Sequence, residues 1–205
     1  MRVLSSTPWI NGLVGVAIFS GSLPATRLAL QGFEPLFLTF ARASIAGLAG
    51  VLCLWAARQP WPRRDDLAGL CLTAIGVVVG FPLLTALALQ EMTAARGLLY
   101  VALLPVATAI FAVVRASERP RPVFWLFSCV ASVLVMGFAL SVGSLEGSWS
   151  ADVAMLAAIV VCGLGYAEGG RLSRHLGGWQ VICWALLLAL PVMLALAWMA
   201  WPGRW

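Results

Sequence analysis

Long apolar runs separated by short polar loops form the dominant pattern of this 205-residue chain. A helix that crosses a bilayer needs roughly 20 apolar residues. Seven runs reach about that length, near residues 9–30, 35–57, 67–89, 93–122, 123–142, 151–171 and 178–201. The pattern therefore predicts an all-α, polytopic membrane protein, built as a bundle of about seven transmembrane helices.

The composition excludes a soluble protein. The chain is 62% hydrophobic and only 10% charged, with a mean hydropathy of +0.97, whereas soluble domains are about 25% charged. Its 13 basic residues lie mostly in loops rather than along one face, so they do not indicate nucleic-acid binding. No histidine pair, nucleophile elbow or phosphate-binding glycine loop occurs, so we expect neither an enzyme nor a bound metal or cofactor.

The loop charges alternate along the chain. One set of loops contains Arg2, Arg58, Arg63, Arg64, Arg115, Arg119, Arg121, Arg171 and Arg174. The other set contains Glu34, Glu91, Glu146 and Asp152, with Arg204 as its one basic residue. Because loops rich in arginine stay on the cytoplasmic side, the N-terminus is expected in the cytoplasm. The expected location is the inner (plasma) membrane of a bacterium, with the lipid bilayer as the main partner.

Prolines interrupt four of the runs and are candidate hinges or helix breaks: Pro24, Pro82, Pro105 and Pro191. At membrane depth a proline persists only where neighbouring helices, hydroxyls or water satisfy the carbonyl that it frees. Pro105, near the middle of the fourth run, therefore indicates helices around a polar interior. The alternative is ordinary bending, because proline is more frequent in membrane helices than in soluble ones.

Arg42 is the leading candidate for binding substrate. It lies about two turns into the second run, roughly 10 Å deep at 1.5 Å per residue, which is too deep for easy snorkelling. One interpretation places its guanidinium in a cavity, where it would meet an anionic or carboxylate-bearing solute. The other is structural: Arg42 holds the bundle together through a carbonyl or an acid.

Three further charged residues carry paired interpretations. Arg27 and Arg96 either form a positive vestibule with Arg42 or snorkel to the headgroups near Glu34 and Glu91. Glu168 is either a carboxylate that couples transport to protons or half of an i,i+3 ion pair with Arg171 at the cytoplasmic interface.

Two aromatic residues inside apolar runs are further candidates for substrate contact. Tyr100 and Trp184 either line a cavity or simply pack among the helices.

The sixth and seventh runs echo the first and second. In each pair, the first helix is weakened by glycine or small residues past its middle, at 20–24 and at 162–166. If five spans separate the two starts, the second copy is inverted in the membrane. Broken helices at matching positions of inverted repeats are typical of transporters, whose binding site lies between the repeats.

Several of these motifs resemble the EamA family of the drug/metabolite transporter superfamily. They are Ser-Gly-Ser-Leu-Pro-Ala-Thr-Arg at 20–27, Pro35 with Arg42 and Ala46, Tyr100 with Leu103-Leu-Pro105, Glu118-Arg119-Pro120, and Leu172-Ser-Arg174. The resemblance implies ten helices in two inverted five-helix repeats, with both termini cytoplasmic. It also implies a central cavity and alternating-access transport of small metabolites, often outward.

On this resemblance, residues 1–142 form the first repeat and 151–205 form the first two helices of a second. The chain is then expected to be truncated at its C-terminus and to act as an exporter of amino-acid-like or drug-like solutes. A homodimer, or C-terminal helices supplied separately, would complete the bundle. The alternative function is a non-transporting accessory or scaffold protein, or an inactive fragment of a transporter.

Overall fold

The computed structural model describes residues 7–117, 119–141 and 148–201. Arg2, Glu118, Glu146 and Arg204, which belong to the predicted charge pattern and motifs, lie outside these residues. The helices are α1 (Thr7–Ser20), α2 (Ser22–Ala29), α3 (Pro35–Ala56), α4 (Arg64–Thr73), a π-helical segment (Ala74–Gly80), α5 (Phe81–Glu91), α6 (Ala94–Val101), α7 (Leu104–Ala116), α8 (Pro122–Ser141), α9 (Trp149–Leu176) and α10 (Gly178–Met199).

These elements combine into six apolar helices long enough to span a membrane, counted over the described residues. They are Gly12–Ala29, Pro35–Ala56, Arg64–Glu91, Ala94–Arg115, Trp149–Leu176 and Gly178–Met199. The apolar part of α8, Pro122–Phe138, is shorter and corresponds to the predicted fifth run. The prediction of an all-α, polytopic membrane protein is confirmed.

Three spanning helices depart from regular α-helix, each near a predicted proline. The first changes at Gly21, three residues before Pro24, and the fourth breaks at Ala102 and Leu103, just before Pro105. The third stays helical but widens into the π-helical segment directly before Pro82. A π turn uses i→i+5 bonds and is frequent at functional sites.

Two stretches that the sequence marks as weak are continuous helix in the structure. α10 continues through Pro191 without interruption, because one proline removes a single backbone bond and a packed membrane helix tolerates that loss. α9 is continuous for 28 residues across the 162–166 segment. Its glycines are packing sites: a Cβ added at Gly163 would lie 3.0 Å from the Ala107 Cβ of α7.

Helix α9 is the centre of the bundle and packs against α4, the π-helical segment, α5, α6, α7 and α10. Its backbone also approaches the π-helical segment closely at Gly165, where an added Cβ would lie 3.2 Å from the Gly76 Cα. The hydrophobic effect does not drive helices together in lipid, so their association depends on close van der Waals packing. Small residues such as these glycines allow the backbones to approach. Side chains that face outward are apolar and exposed, as Ile45 and Leu52 on α3 show.

Polar contacts place the arginine-rich loops together at one end of the bundle. There, Glu168 of α9 contacts Arg115 at the end of α7, and His175 contacts Asp66 at the start of α4. We call this the basic end. At the opposite end, Arg96 at the start of α6 pairs with Asp152 at the start of α9. The structure thus shows the predicted segregation of loop charges.

Candidate functional site

A cavity of about 870 Å³ lies beside the broken helix α6/α7. Pro105 and Thr108 line it from α7, Phe19 from α1 and Tyr166 from α9, while Arg119 and Arg174 lie at its basic end. Ligand pockets are typically about 300–1,000 Å³. The break at Pro105 therefore borders a space large enough for a small metabolite.

Two smaller cavities, of about 160 and 190 Å³, meet at Arg42. Both are lined by Arg42, Val77 and Pro82, so the π-helical segment and the proline after it shape each of them. The 160 Å³ cavity also shares Phe19 and Tyr166 with the large cavity. Shared wall residues thus connect the predicted residues Arg42, Pro82 and Pro105.

The Arg42 guanidinium has one hydrogen bond to a described residue, donated by Nη1 to the Thr26 hydroxyl at 3.2 Å. Thr26 in turn donates to the Ser22 carbonyl at 2.7 Å. No carboxylate within residues 7–117, 119–141 and 148–201 pairs with Arg42. The interpretation that Arg42 holds the bundle together through an acid therefore has no support within those residues. Four of the five guanidinium N–H donors remain for another acceptor.

Two threonine hydroxyls beside Arg42 have no hydrogen-bond partner among the described residues. They belong to Thr39 and Thr85, which are 2% and 4% exposed and line the 190 and 160 Å³ cavities respectively. Hydroxyls within helices usually bond to the carbonyl four residues earlier, as Ser44 bonds to Phe40 here. Buried polar groups without partners are rare and call for an explanation. A polar ligand beside Arg42 would supply one.

The break at Pro105 is stabilised by a neighbouring helix. The Leu103 N–H donates to the Tyr100 carbonyl, three residues earlier, which makes a tighter turn than in an α-helix. The Ala102 carbonyl accepts a hydrogen bond from the Ser132 hydroxyl of α8 at 2.8 Å. A hydroxyl from another helix thus bonds a carbonyl exposed at the break, as expected for irregular backbone at membrane depth. Pro24, in contrast, is exposed on α2, outside the three cavities.

The predicted positive vestibule is not present in the structure. Arg27 donates to the carbonyl of Leu89, in the last turn of α5, and to that of Met92, which follows the helix. Carbonyls at a helix end have no partner within the helix, and Arg27 supplies one. Arg96 forms a two-point ion pair with Asp152, with N–O distances of 3.0 and 2.6 Å. Arg27 and Arg96 therefore join helices at the end opposite the basic end and do not converge on Arg42.

Glu168 is buried, with 1% of its surface exposed, although it lies near a helix end. The predicted i,i+3 pair with Arg171 is present, at 2.9 Å from Nε. A second arginine, Arg115 of α7, lies 3.4 Å away. Burial of a carboxylate is costly unless it is paired, and two arginines provide that pairing. A role for Glu168 in proton coupling remains a hypothesis.

Tyr100 and Trp184 do not join Arg42. Tyr100 is half-buried and packs against the apolar clusters that contain Met155 and Ile159. Trp184 is 4% exposed and lines a separate cavity, where its ring lies 5.0 Å from that of Trp61.

Sequence reasoning missed Tyr166, Thr39 and Thr85 as cavity residues. Their polar groups within apolar runs were the available signal, but one sequence does not show which of them face inward. It also did not identify Asp152 and Arg115 as the ion-pair partners of Arg96 and Glu168. Such pairs depend on how the helices pack, which the periodicity of the sequence does not reveal.

Broken and widened helices that border cavities containing a few polar groups are features of membrane transport proteins. Comparison with known proteins agrees with this class. The sequence model of the EamA-like transporter family matches residues 8–141, and the chain belongs to that family. It is therefore a multi-pass membrane protein of a transporter family.

Two relatives extend the similarity over most of the chain. It is 61% identical over 198 residues to "Uncharacterized transporter YdeK" of Bacillus subtilis (strain 168), covering 96% of this chain and 68% of that protein. It is 25% identical over 186 residues to "Probable terminal-alkyne amino-acid exporter" of Streptantibioticus cattleyicolor, covering 89% of this chain and 61% of that protein. No solved structure gives a significant match.

Proposed function

We propose that this protein takes part in the export of small metabolites with a free carboxylate across a bacterial inner membrane. The observation that carries the proposal is Arg42, which lines two cavities with most of its donors unused. Guanidinium and carboxylate form short, charge-assisted and often two-point hydrogen bonds. The nearby Thr39 and Thr85 hydroxyls add two more polar groups for the same solute.

The size of the cavities favours small solutes. A water molecule occupies about 30 Å³ in the liquid, so the 160 Å³ cavity at Arg42 holds roughly five non-hydrogen atoms, enough for the carboxylate, α-carbon and amino group of an amino acid. The apolar remainder of the solute would extend past Phe19 and Tyr166 toward the 870 Å³ cavity. An amino-acid-like solute fits this division, and the name of the Streptantibioticus cattleyicolor relative, "Probable terminal-alkyne amino-acid exporter", supports it.

Alternating access is the proposed mechanism. The broken helix α6/α7 contacts α9 at both ends through ion pairs of unequal geometry: Arg96–Asp152 at 2.6 Å and Arg115–Glu168 at 3.4 Å. Between them lies the break at Ala102 and Leu103. We infer that a change of angle at this break opens the large cavity at the basic end. In this mechanism, residues 1–142 form one repeat and residues 151–205 form the first two helices of an inverted second repeat. The basic end then lies in the cytoplasm.

Counterflow into proteoliposomes tests the proposed function. Liposomes containing the protein are loaded with one unlabelled solute, and uptake of the labelled form is compared for matched pairs: leucine with leucinamide, and phenylalanine with phenylalaninamide. Because a charge-assisted hydrogen bond contributes about 1.5–3 kcal/mol, the carboxylate member of a transported pair should be favoured by about tenfold or more. Equal rates for acid and amide, or no counterflow of any solute, would contradict the proposal.

A further inference from the structure

Helix α3 ends in a turn that usually requires glycine. The Gln59 N–H donates to the Leu54 carbonyl and the Arg58 N–H donates to the Trp55 carbonyl, both at 3.0 Å. This bonding pattern is the Schellman motif, in which the residue after the cap adopts a left-handed conformation. Here that residue is Arg58, with φ of 48°. A side chain at such a position is strained where glycine would not be, and backbone strain of this kind often accompanies a functional site.

Arg58 opens onto a cavity of about 600 Å³ between the end of α3, the loop after it, and α10. Trp55, Trp61 and Trp184 also line this cavity, which we call the α3–α10 groove. The Trp61 and Trp184 rings are 5.0 Å apart and inclined by 41°. Trp55 and Trp61 are 76% and 74% exposed, whereas Trp184 is 4% exposed. The groove therefore has an apolar, aromatic floor and a cationic rim.

The charge of the groove is unbalanced. Unlike Arg96, Arg115 and Arg171, which pair with acids, Arg58 has no carboxylate partner within the described part of the chain. Arg63 and Arg64 follow where the chain enters α4, and Asp65 and Asp66 offset part of their charge. The complementary occupant is an anion, and the unpaired charge disfavours a cation on the aromatic rings.

The position of the groove identifies the source of the anion. Tryptophans at the ends of membrane-spanning helices lie at the level of the lipid headgroups, and basic pockets between helices bind anionic headgroups on the cytoplasmic side. We propose that the α3–α10 groove binds an anionic phospholipid. Its phosphate bonds to Arg58, and its glycerol and upper acyl region pack on Trp61 and Trp184. This site is separate from Arg42 and does not depend on the transported solute.

Native mass spectrometry of the delipidated protein in detergent tests the site. Equimolar palmitoyl-oleoyl-phosphatidylglycerol and palmitoyl-oleoyl-phosphatidylcholine are added, and the bound lipids are counted. The wild type should retain the phosphatidylglycerol preferentially, and Arg58→Gly should lower its occupancy about fivefold. Glycine suits the left-handed turn, so the melting temperature of this variant should be unchanged or higher.

Arg64→Gln is the matched control, since it removes the same charge from the same loop but lies outside the groove. Its phosphatidylglycerol occupancy should stay within about twofold of the wild type. Trp61→Ala should lower occupancy without changing net charge. Equal losses in Arg58→Gly and Arg64→Gln, or equal binding of the two lipids by the wild type, would overturn the proposal.

Discussion

Arg42→Ala is expected to lower carboxylate-dependent counterflow by between about ten- and a hundredfold. The guanidinium donates at most one bond to described residues, so its loss removes bonds to the solute, each worth about 1.5–3 kcal/mol. Counterflow rates normalised to the reconstituted protein measure the change. The preference for leucine over leucinamide should fall to about one, because the group that distinguishes them is gone.

Two kinds of variant separate this effect from misfolding. Arg42→Lys keeps the charge but loses the two-point geometry, so its rate should lie between those of the wild type and Arg42→Ala. Thr85→Val removes a buried hydroxyl without a described partner. It should keep or raise the melting temperature while weakening solute binding. Full counterflow and unchanged acid preference in Arg42→Ala would remove Arg42 from the site.

Gly76→Ala is expected to destabilise the bundle, because α9 lies directly against this glycine. The new Cβ would lie 2.4 Å from the Val161 carbonyl oxygen of α9 and 3.0 Å from the Gly165 Cα. Backbone must move to accept it, and overpacking of this kind costs about 1–3 kcal/mol. The melting temperature in detergent should fall by about 2–12 °C, at about 2–4 °C per kcal/mol for a chain of this size.

Gly170→Ala provides the control, because a Cβ at Gly170 of α9 meets nothing within 4 Å. Its melting temperature should stay level or rise, since alanine favours helix by up to about 1 kcal/mol over glycine. If Gly76→Ala melted at the same temperature as Gly170→Ala, the close approach of α9 to the π-helical segment would be wrong.

The spans and the segregation of loop charges followed from sequence because both are repeated over many residues. The breaks near Pro24 and Pro105 were also predictable, since proline removes a backbone donor wherever it lies. Pro191 shows the limit of that reasoning: the same residue within α10 leaves the helix continuous. What packs around a proline decides its effect, and the sequence does not contain that information directly.

The site was only partly predictable for a related reason. The depth of Arg42 in its span could be counted from the sequence. Arg42 could therefore be predicted as a binding residue without a structure. Arg27 and Arg96 have the same charge at comparable distances from span ends, yet they bond to α5 carbonyls and to Asp152. Assigning these contacts requires the rotation and neighbours of each helix. The position of Tyr166 beside the cavities depends on α9 being continuous and central in the bundle, which the sequence did not indicate.

The central claim is that Arg42 faces a water-accessible cavity rather than lipid, and thiol labelling tests it most directly. Ala46, one turn from Arg42, is exposed and lines the same cavity, whereas its neighbour Ile45 is 69% exposed and lines neither cavity at Arg42. Each is replaced by cysteine in a background lacking the five native cysteines, with counterflow as the control for folding. A membrane-impermeant methanethiosulfonate reacts with thiolate, which forms in water and not in lipid. The account predicts that Ala46→Cys in liposomes reacts at least about tenfold faster than Ile45→Cys. Equal rates, or no reaction at Ala46→Cys, would contradict it.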